Sequence, residues 1–287
     1  MRLRMAEAVV TRVAVVTGGN KGLGFEVVKS LCRLFKGDVL LTARNESLGR
    51  AAVASLEQTG LKPKFFQLDI TDQTSIASLA THLSNTYGGL DVLVNNAGIM
   101  FGGPTRVPFE EQVKATMKVN FWANLNVCKA FFPLLRPHAR VVNVTSMLAS
   151  SALNRCAQAL KERFTSPDIT LTELESLMEK FENDVSSGTY SQTWPETAYG
   201  VSKIGITTMS LIQQRVLDRE GKTDVVVNAC CPGWCRTDMG GQSAPDSAEE
   251  GADTIVYLAT LPPETMSPRG ELVTHRKIKP WTKKRAL

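Results

Sequence analysis

Tyr199 and Lys203 stand four positions apart in the run Tyr199-Gly-Val-Ser-Lys203. On a helix this spacing sets a phenol and an ammonium on one face, one turn apart. A free tyrosine has a pKa of about 10. A neighbouring cation stabilises the phenolate and lowers that value, giving a usable general acid or base. The same spacing also arises by accident on amphipathic helices, so the rest of the chain has to decide between the two readings. Three further features bear on it. Ser146 closes the apolar run Arg140-Val-Val-Asn-Val-Thr-Ser146. Asn120 interrupts a helical stretch beside Met117, Val119, Phe121 and Trp122, although asparagine is a poor interior helix residue because its amide competes for backbone groups. Thr17-Gly-Gly-Asn-Lys-Gly-Leu-Gly24 supplies Gly18, Gly22 and Gly24 for a turn that lets backbone approach a pyrophosphate.

The elements that would position these residues follow from periodicity. Val13–Thr17 is a β-branched run of the kind buried on both faces of a sheet, and a helix from Phe25 to Phe35 follows the glycine turn. Asp38–Ala43 reads as a second strand ending at Arg44. A site that reads an unphosphorylated ribose places a carboxylate in that region. Here Arg44 and Lys21 offer two cations and no acid, which suits a 2′-phosphate and hence NADP over NAD; a plain surface arginine is the competing reading. Ser47–Gln58 is helical, and Lys64–Leu68 is a third strand ending at Asp69-Ile70, where the acid can accept a hydrogen bond from an adenine amine. Thr71–Tyr87 is a helix capped by Thr71 or Thr74. Leu90–Val94 is the fourth strand, leading to Asn95-Asn-Ala-Gly98. Asn95 is suited either to joining strands or to flooring a ligand crevice.

Pro108–Leu135 reads as one long helix, and Arg140–Ser146 as the fifth strand, with Ser146 at the carboxyl end where open α/β sheets bind ligands. The stretch between Ser146 and Tyr199 is too long for an ordinary loop. It carries its own signals: a capping box at Thr170–Glu173, then Leu174, Leu177, Met178, Phe181 and Val185 along one helical face. It is therefore an inserted helical segment, 147–198. A sixth strand, Asp224–Cys230, leads into Cys231-Pro-Gly-Trp-Cys-Arg-Thr237, whose backbone can meet a nicotinamide carboxamide. Ser247–Leu258 is a helix and Glu271–Val273 a last strand. Strands alternating with helices give an α/β fold, a doubly wound parallel sheet of Rossmann type, in one domain spanning 1–287.

With 43% hydrophobic and 21% charged residues the composition is that of an ordinary soluble globule. No apolar run reaches the roughly 20 residues of a membrane helix. Charge in Met1–Glu7 interrupts the place where a signal peptide needs its apolar core, so a cytoplasmic location is expected. Six cysteines lack the histidine or paired-cysteine spacing of a metal site and read as reduced thiols. The net charge of +5 resides in Arg276, Lys277, Lys279, Lys283, Lys284 and Arg285, without which the chain is near neutral. The end 276–287 reads as a solvated basic tail rather than a nucleic-acid surface, with an anionic-surface or nuclear signal as the other reading.

Thr17-Gly-x-x-x-Gly-x-Gly24, Asn95-Asn-Ala-Gly98, Ser146, Tyr199-x-x-x-Lys203 and Pro232-Gly233 occur here in one order. Together they resemble the short-chain dehydrogenase/reductase family over about residues 11 to 275. Within it the chain looks most similar to the monomeric NADPH-dependent carbonyl reductases, through Asn20-Lys21, Leu41-Thr-Ala-Arg44, the insertion, Trp194-Pro195 and Asn228–Trp234. Thr145 departs from the family, many of whose members carry a second serine there. The resemblance implies reduction of small aldehydes, ketones and quinones. Tyr199 is then the proton donor, Ser146 the partner of the carbonyl oxygen, Lys203 the holder of the nicotinamide ribose, and Asn120 the support of a proton-relaying water. NADPH contacts are implied at Gly18, Asn20, Lys21, Gly22, Leu23, Gly24, Arg44, Asp69, Ile70, Asn96, Tyr199, Lys203, Cys235 and Thr237. Ser146 and Trp234 would touch substrate; Trp234, Met147 and Met239 could equally be core residues, and Cys231 either a redox-sensitive or an inert buried thiol. Three rivals use related parts: an alcohol, hydroxysteroid or prostaglandin dehydrogenase running oxidatively with NADP, a non-catalytic NADP-binding sensor, and a sugar-nucleotide epimerase. The last would need a separate substrate domain, for which too little chain follows the final strand.

Overall fold

β1 (Val13–Val16), β2 (Asp38–Ala43), β4 (Leu90–Asn95) and β6 (Val226–Cys230) are apolar runs with almost no exposed side chains, as strands covered by helices on both faces must be. With β3 (Lys64–Gln67), β5 (Leu135–Val144), β7 (Leu272–Thr274) and β8 (Lys277–Lys279) they form one sheet in the order β3-β2-β1-β4-β5-β6-β7-β8. Every pairing is parallel except β7 with β8. The computed structural model describes residues 11–102, 105–222 and 224–281. Strand order reverses between β1 and β4, so the crevice opens beyond the carboxyl ends of those two strands.

On one face lie α1 (Gly22–Leu34), α2 (Glu46–Glu57) and α10 (Ala248–Ala259), sharing a core with Val16, Leu41, Val94 and Val142. The other face carries α3 (Gln73–His82), α4 (Phe109–Thr116), α5 (Asn124–Phe131) and α9 (Ala198–Arg219). The insertion contributes α6 (Met147–Arg155), α7 (Gln158–Phe164) and α8 (Leu171–Ser186). Its capping box at Thr170 and Glu173 forms as expected. Leu174, Met178, Phe181 and Val185 are buried against Phe121, Ile204 and Met209, while Leu177 is only partly covered. Trp122 Nε1 donates to Glu182 at 2.7 Å and Trp194 Nε1 to Asp184 at 2.8 Å, fastening the carboxyl-terminal part of α8 from two sides.

Several boundaries differ from the sequence reading. Asp72, not Thr71 or Thr74, caps α3: its carboxylate accepts from the Thr74 amide, while Thr71 turns its amide and hydroxyl to Asp69. α1 begins at Gly22, within the glycine turn. The stretch 108–135 is not one regular helix, because a π-helical segment, Met117–Ala123, separates α4 from α5 and a 3-10 turn, Phe132–Leu134, ends it. Leu135 already belongs to β5. The basic end is only partly a tail, since Lys277–Lys279 pairs with β7 and the Arg276 guanidinium lies on the Asp253 carboxylate. Lys283, Lys284 and Arg285, like Met1–Glu7, lie outside the described residues.

Candidate active site

Three elements deliver the reactive groups. β5 carries the chain to Ser146, whose Oγ accepts the Leu148 amide at 3.2 Å and so caps α6. That bond uses an oxygen lone pair and leaves the hydroxyl proton free to be aimed outward. Thr197 caps α9 through the Gly200 amide and thereby fixes the helix that presents Tyr199 and Lys203. The Lys203 ammonium sits 5.5 Å from the centre of the Tyr199 ring and donates to the Val144 carbonyl at 2.8 Å. Lys203 is 5% exposed, and burial pushes it down to about 8. Tyr199 goes the other way. Burial and the neighbouring Cys231 raise it to about 12, with the Ser146 hydroxyl pulling against them. The lowering expected from the i,i+4 cation is not seen: burial sets the tyrosine's value, and the ammonium spends a proton on the Val144 carbonyl. At neutral pH the phenol stays protonated, the form a proton donor needs.

Asn120 lies in the π-helical segment, whose widened turn directs its amide toward the strand ends. Nδ2 donates to the Ile99 carbonyl at 2.9 Å and to Ser202 Oγ at 3.1 Å, and Oδ1 accepts from the Ile99 amide at 2.8 Å. Ser202 in turn donates to the Tyr199 carbonyl at 2.8 Å. Both amide protons of Asn120 are engaged by protein, clamping the turn after β4 to the helix of Tyr199, and Oδ1 keeps one further acceptor site. Gly98 leaves space beside this clamp: a Cβ there would come within 3.2 Å of Asn120 Oδ1 and 3.7 Å of Lys203 Nζ. Thr145, where a second serine is usual, donates to the Lys203 carbonyl at 3.1 Å and shares a hydrogen bond with Thr207 at 2.7 Å. Thr145, Thr207 and Ser202 carry no signal in the sequence beyond their nearness to Ser146 and Tyr199.

The glycine turn forms a cradle. Gly18 has φ +64°, a region costly for other residues, and a Cβ on Gly24 would lie 2.3 Å from the Gly18 carbonyl oxygen. Asn96 Nδ2 donates to the Thr17 and Gly18 carbonyls at 2.9 and 3.1 Å, and Thr17 Oγ1 accepts from the Asn96 and Ala97 amides. Asn96 therefore ties the cradle to β4. Asn95 spans strands instead, donating to Asn143 at 2.8 Å. Among its own residues α1 has no side-chain cap and no acid in its first turn, leaving its amino-terminal amides and dipole for an anion. Arg44 is exposed at the end of β2. Asp69 is raised by burial, but the Thr71 amide and hydroxyl and the Arg44 charge outweigh that and hold it below the usual carboxylate range. Ile70 is buried next to it, and Asn20 is half-buried in the turn.

Lys21 holds a surprise for the two-cation reading: its ammonium donates to Asp238 at 2.6 Å, so a carboxylate does stand near it, brought from the loop after β6. The side-chain hydrogen bond from Lys21 depresses Asp238. That loop lies over the cradle, the Thr237 methyl being 3.3 Å from where a Gly22 Cβ would sit. Cys235 is buried, its thiol pushed up to about 11 by burial and directed with Leu23 at Gly251 of α10. Any contact it makes with a cofactor is left to its backbone. Trp234 is 56% exposed, its Nε1 donating to the Gly240 carbonyl at 2.8 Å, and Met147 and Met239 are also exposed. None of the three is a core residue. Cys231 is buried, and its sulfur accepts the Met147 amide at 3.2 Å. Among the described residues no cluster of histidine, cysteine and carboxylates fits a metal ion, and no helix is long and apolar enough to cross a membrane.

Known proteins are similar to this chain in sequence and fold. The short chain dehydrogenase family profile matches residues 12–158. Carbonyl reductase (NADPH) 1 of Oryctolagus cuniculus is 52% identical over 272 residues, covering 94% of this chain and 98% of that protein. Its Homo sapiens counterpart is 50% identical over 271 residues, with the same coverage. Among solved structures, salutaridine reductase from Papaver somniferum superposes with a TM-score of 0.81 at 27% identity, over 91% of this chain and 99% of that one.

Proposed function

We propose a mechanism from one premise: the chain belongs to the short-chain dehydrogenase family. It is an NADPH-dependent reductase of carbonyl compounds, and aldehydes, ketones and quinones are its proposed range. The observation that carries the residue roles is the meeting of Ser146, Tyr199 and the buried Lys203 ammonium at the strand ends, beside a cradle that a single Cβ on Gly24 would fill. The cradle and donor set fit a dinucleotide. Gly18, Asn20, Gly22, Leu23 and the first amides of α1 would take its pyrophosphate; Lys21 and Arg44 a 2′-phosphate; Asp69 and Ile70 the adenine; Cys235 and Thr237, by backbone and hydroxyl, the nicotinamide side. When bound, NADPH supplies a hydride to the carbonyl carbon.

The remaining work falls to this chain. Ser146 donates its free hydroxyl proton in a hydrogen bond to the carbonyl oxygen, orienting it toward Tyr199. Tyr199, protonated at neutral pH, transfers its phenolic proton to that oxygen as negative charge develops there. Lys203 keeps positive charge one helical turn away, and its remaining protons would hold the ribose hydroxyls of the bound nucleotide. Asn120 and Ser202 are positioning residues that hold the turn after β4 and the Tyr199 backbone in register. A nucleotide sensor would have no use for this constellation. The chain works as one domain and a cytoplasmic monomer; the second point is supported by α8, which covers the outer face of α4 and α9.

Tyr199→Phe is the decisive variant. It should lower the rate of NADPH oxidation with an aromatic aldehyde by about 10²–10⁴ while the nucleotide still binds. Turnover within a few-fold of the unaltered enzyme would remove Tyr199 from the role of acid.

A further inference from the structure

A pocket of about 490 Å³ opens directly beside Tyr199, between the turn after β4 and the start of α9. Phe101, Phe109, Gln112, Thr116 and Glu196 line it with Tyr199, and Glu196 is its one permanently ionisable side chain. The Glu196 carboxylate enters no hydrogen bond or ion pair among the described residues, and it precedes the amino terminus of α9, whose dipole favours a negative charge there. Two phenylalanines and a carboxylate without a partner among the described residues are groups that recognise an ammonium, by cation–π attraction and charge together.

We infer that this pocket selects carbonyl substrates by charge: it takes compounds whose distal end carries a protonated amine and discriminates against those ending in a carboxylate, with Glu196 as the specificity-determining residue. The inference rests on the carbonyl-reductase reading for where the carbonyl lies, at Tyr199. It adds what the rest of the substrate looks like. A charged substituent a few ångströms from a half-solvated carboxylate feels an interaction that changes affinity by about five-fold in each direction, opposite in sign for cation and anion.

The test uses the full chain and three para-substituted benzaldehydes of similar size: dimethylaminomethyl (cationic), methoxymethyl (neutral) and carboxymethyl (anionic). For each, kcat/KM is measured by NADPH oxidation in the unaltered enzyme, Glu196→Gln and Glu196→Lys. Intrinsic reactivity cancels when each aldehyde is compared across enzymes. The cation-to-anion ratio should fall at least ten-fold in Glu196→Gln, invert in Glu196→Lys, and shrink with added salt only in the unaltered enzyme. In parallel, binding of benzyldimethylammonium and of phenylacetate, neither of which can be reduced, is followed by calorimetry. Carbonyl reduction with a ratio that is the same in all three enzymes overturns the inference and leaves the function standing. Selective binding of the ammonium, abolished by Glu196→Gln, in an enzyme that reduces none of the aldehydes would overturn the function and leave the pocket's selectivity standing.

Discussion

Replacing Lys203 with methionine should stop turnover and also change how the fold responds to alkali. The ammonium is 5% exposed, and burial lowers it from 10.5 to about 8. In the unfolded chain it returns to the ordinary value. Below about pH 8 both states hold the proton, and the whole penalty for burying the charge is in force. Between about pH 8 and 10.5 the unfolded state holds more protons than the folded one, so stability rises with pH across that window. A gap of about 2.5 pH units corresponds to about 3 kcal/mol. Methionine keeps an apolar stem and removes the charge, but strips the Val144 carbonyl of its donor at 2.8 Å. An unsatisfied buried acceptor costs about 1–3 kcal/mol. At pH 7 the two effects nearly offset, and the variant should unfold within a few degrees of the unaltered protein. By pH 10.5 the unaltered protein has regained about 3 kcal/mol and the variant nothing, a relative shift in Tm of roughly 6–12 °C. Scanning calorimetry at half-unit steps from pH 7 to 10.5 reads the difference directly, because ionisations common to both proteins cancel. Parallel Tm curves would refute the reasoning, since they would mean that burial does not penalise this ammonium.

Lys21→Ala and Arg44→Ala should each raise the KM for NADPH about ten-fold or more while moving that for NADH little, as expected for charge-assisted bonds to a phosphate; equal losses for both nucleotides would assign these cations elsewhere. Gly24→Ala places a Cβ 2.3 Å from the Gly18 carbonyl, so the cradle must distort at a cost of about 1–3 kcal/mol. Chemical denaturation should report that loss, and nucleotide binding should fall with it. Light scattering at micromolar concentration should give a mass near 31.3 kDa, because α8 already buries Leu174, Met178 and Phe181 against the helices another copy would otherwise cover; a stable dimer would mean that association uses a different face.

Local pattern alone determined much of this protein. The apolar runs that became β1, β2 and β4, the glycine turn before α1, the capping box at Thr170 and the helical stripe through Leu174, Met178 and Phe181 are short-range features with steric or solvation causes. Their signals lie within a few residues of one another, so they can be read without knowing the tertiary contacts. The i,i+4 spacing of Tyr199 and Lys203 and the arrival of Ser146 at a strand end were legible for the same reason. What the tertiary structure decided are quantities that depend on residues far apart in the chain. Asp238 reaches Lys21 from 217 positions away, and Asn120 finds Ile99 and Ser202 across a π-helical turn that residue preferences do not foretell. The hairpin at Lys277–Lys279 forms because β7 supplies its edge, which overrides a run of charges that reads as solvated. Above all, the protonation of the catalytic pair belongs to the fold. Spacing says that Lys203 stands near Tyr199, but only burial makes the phenol a weaker acid and the ammonium a stronger one, since desolvation acts through the volume of protein around a charge and not through its position in the sequence.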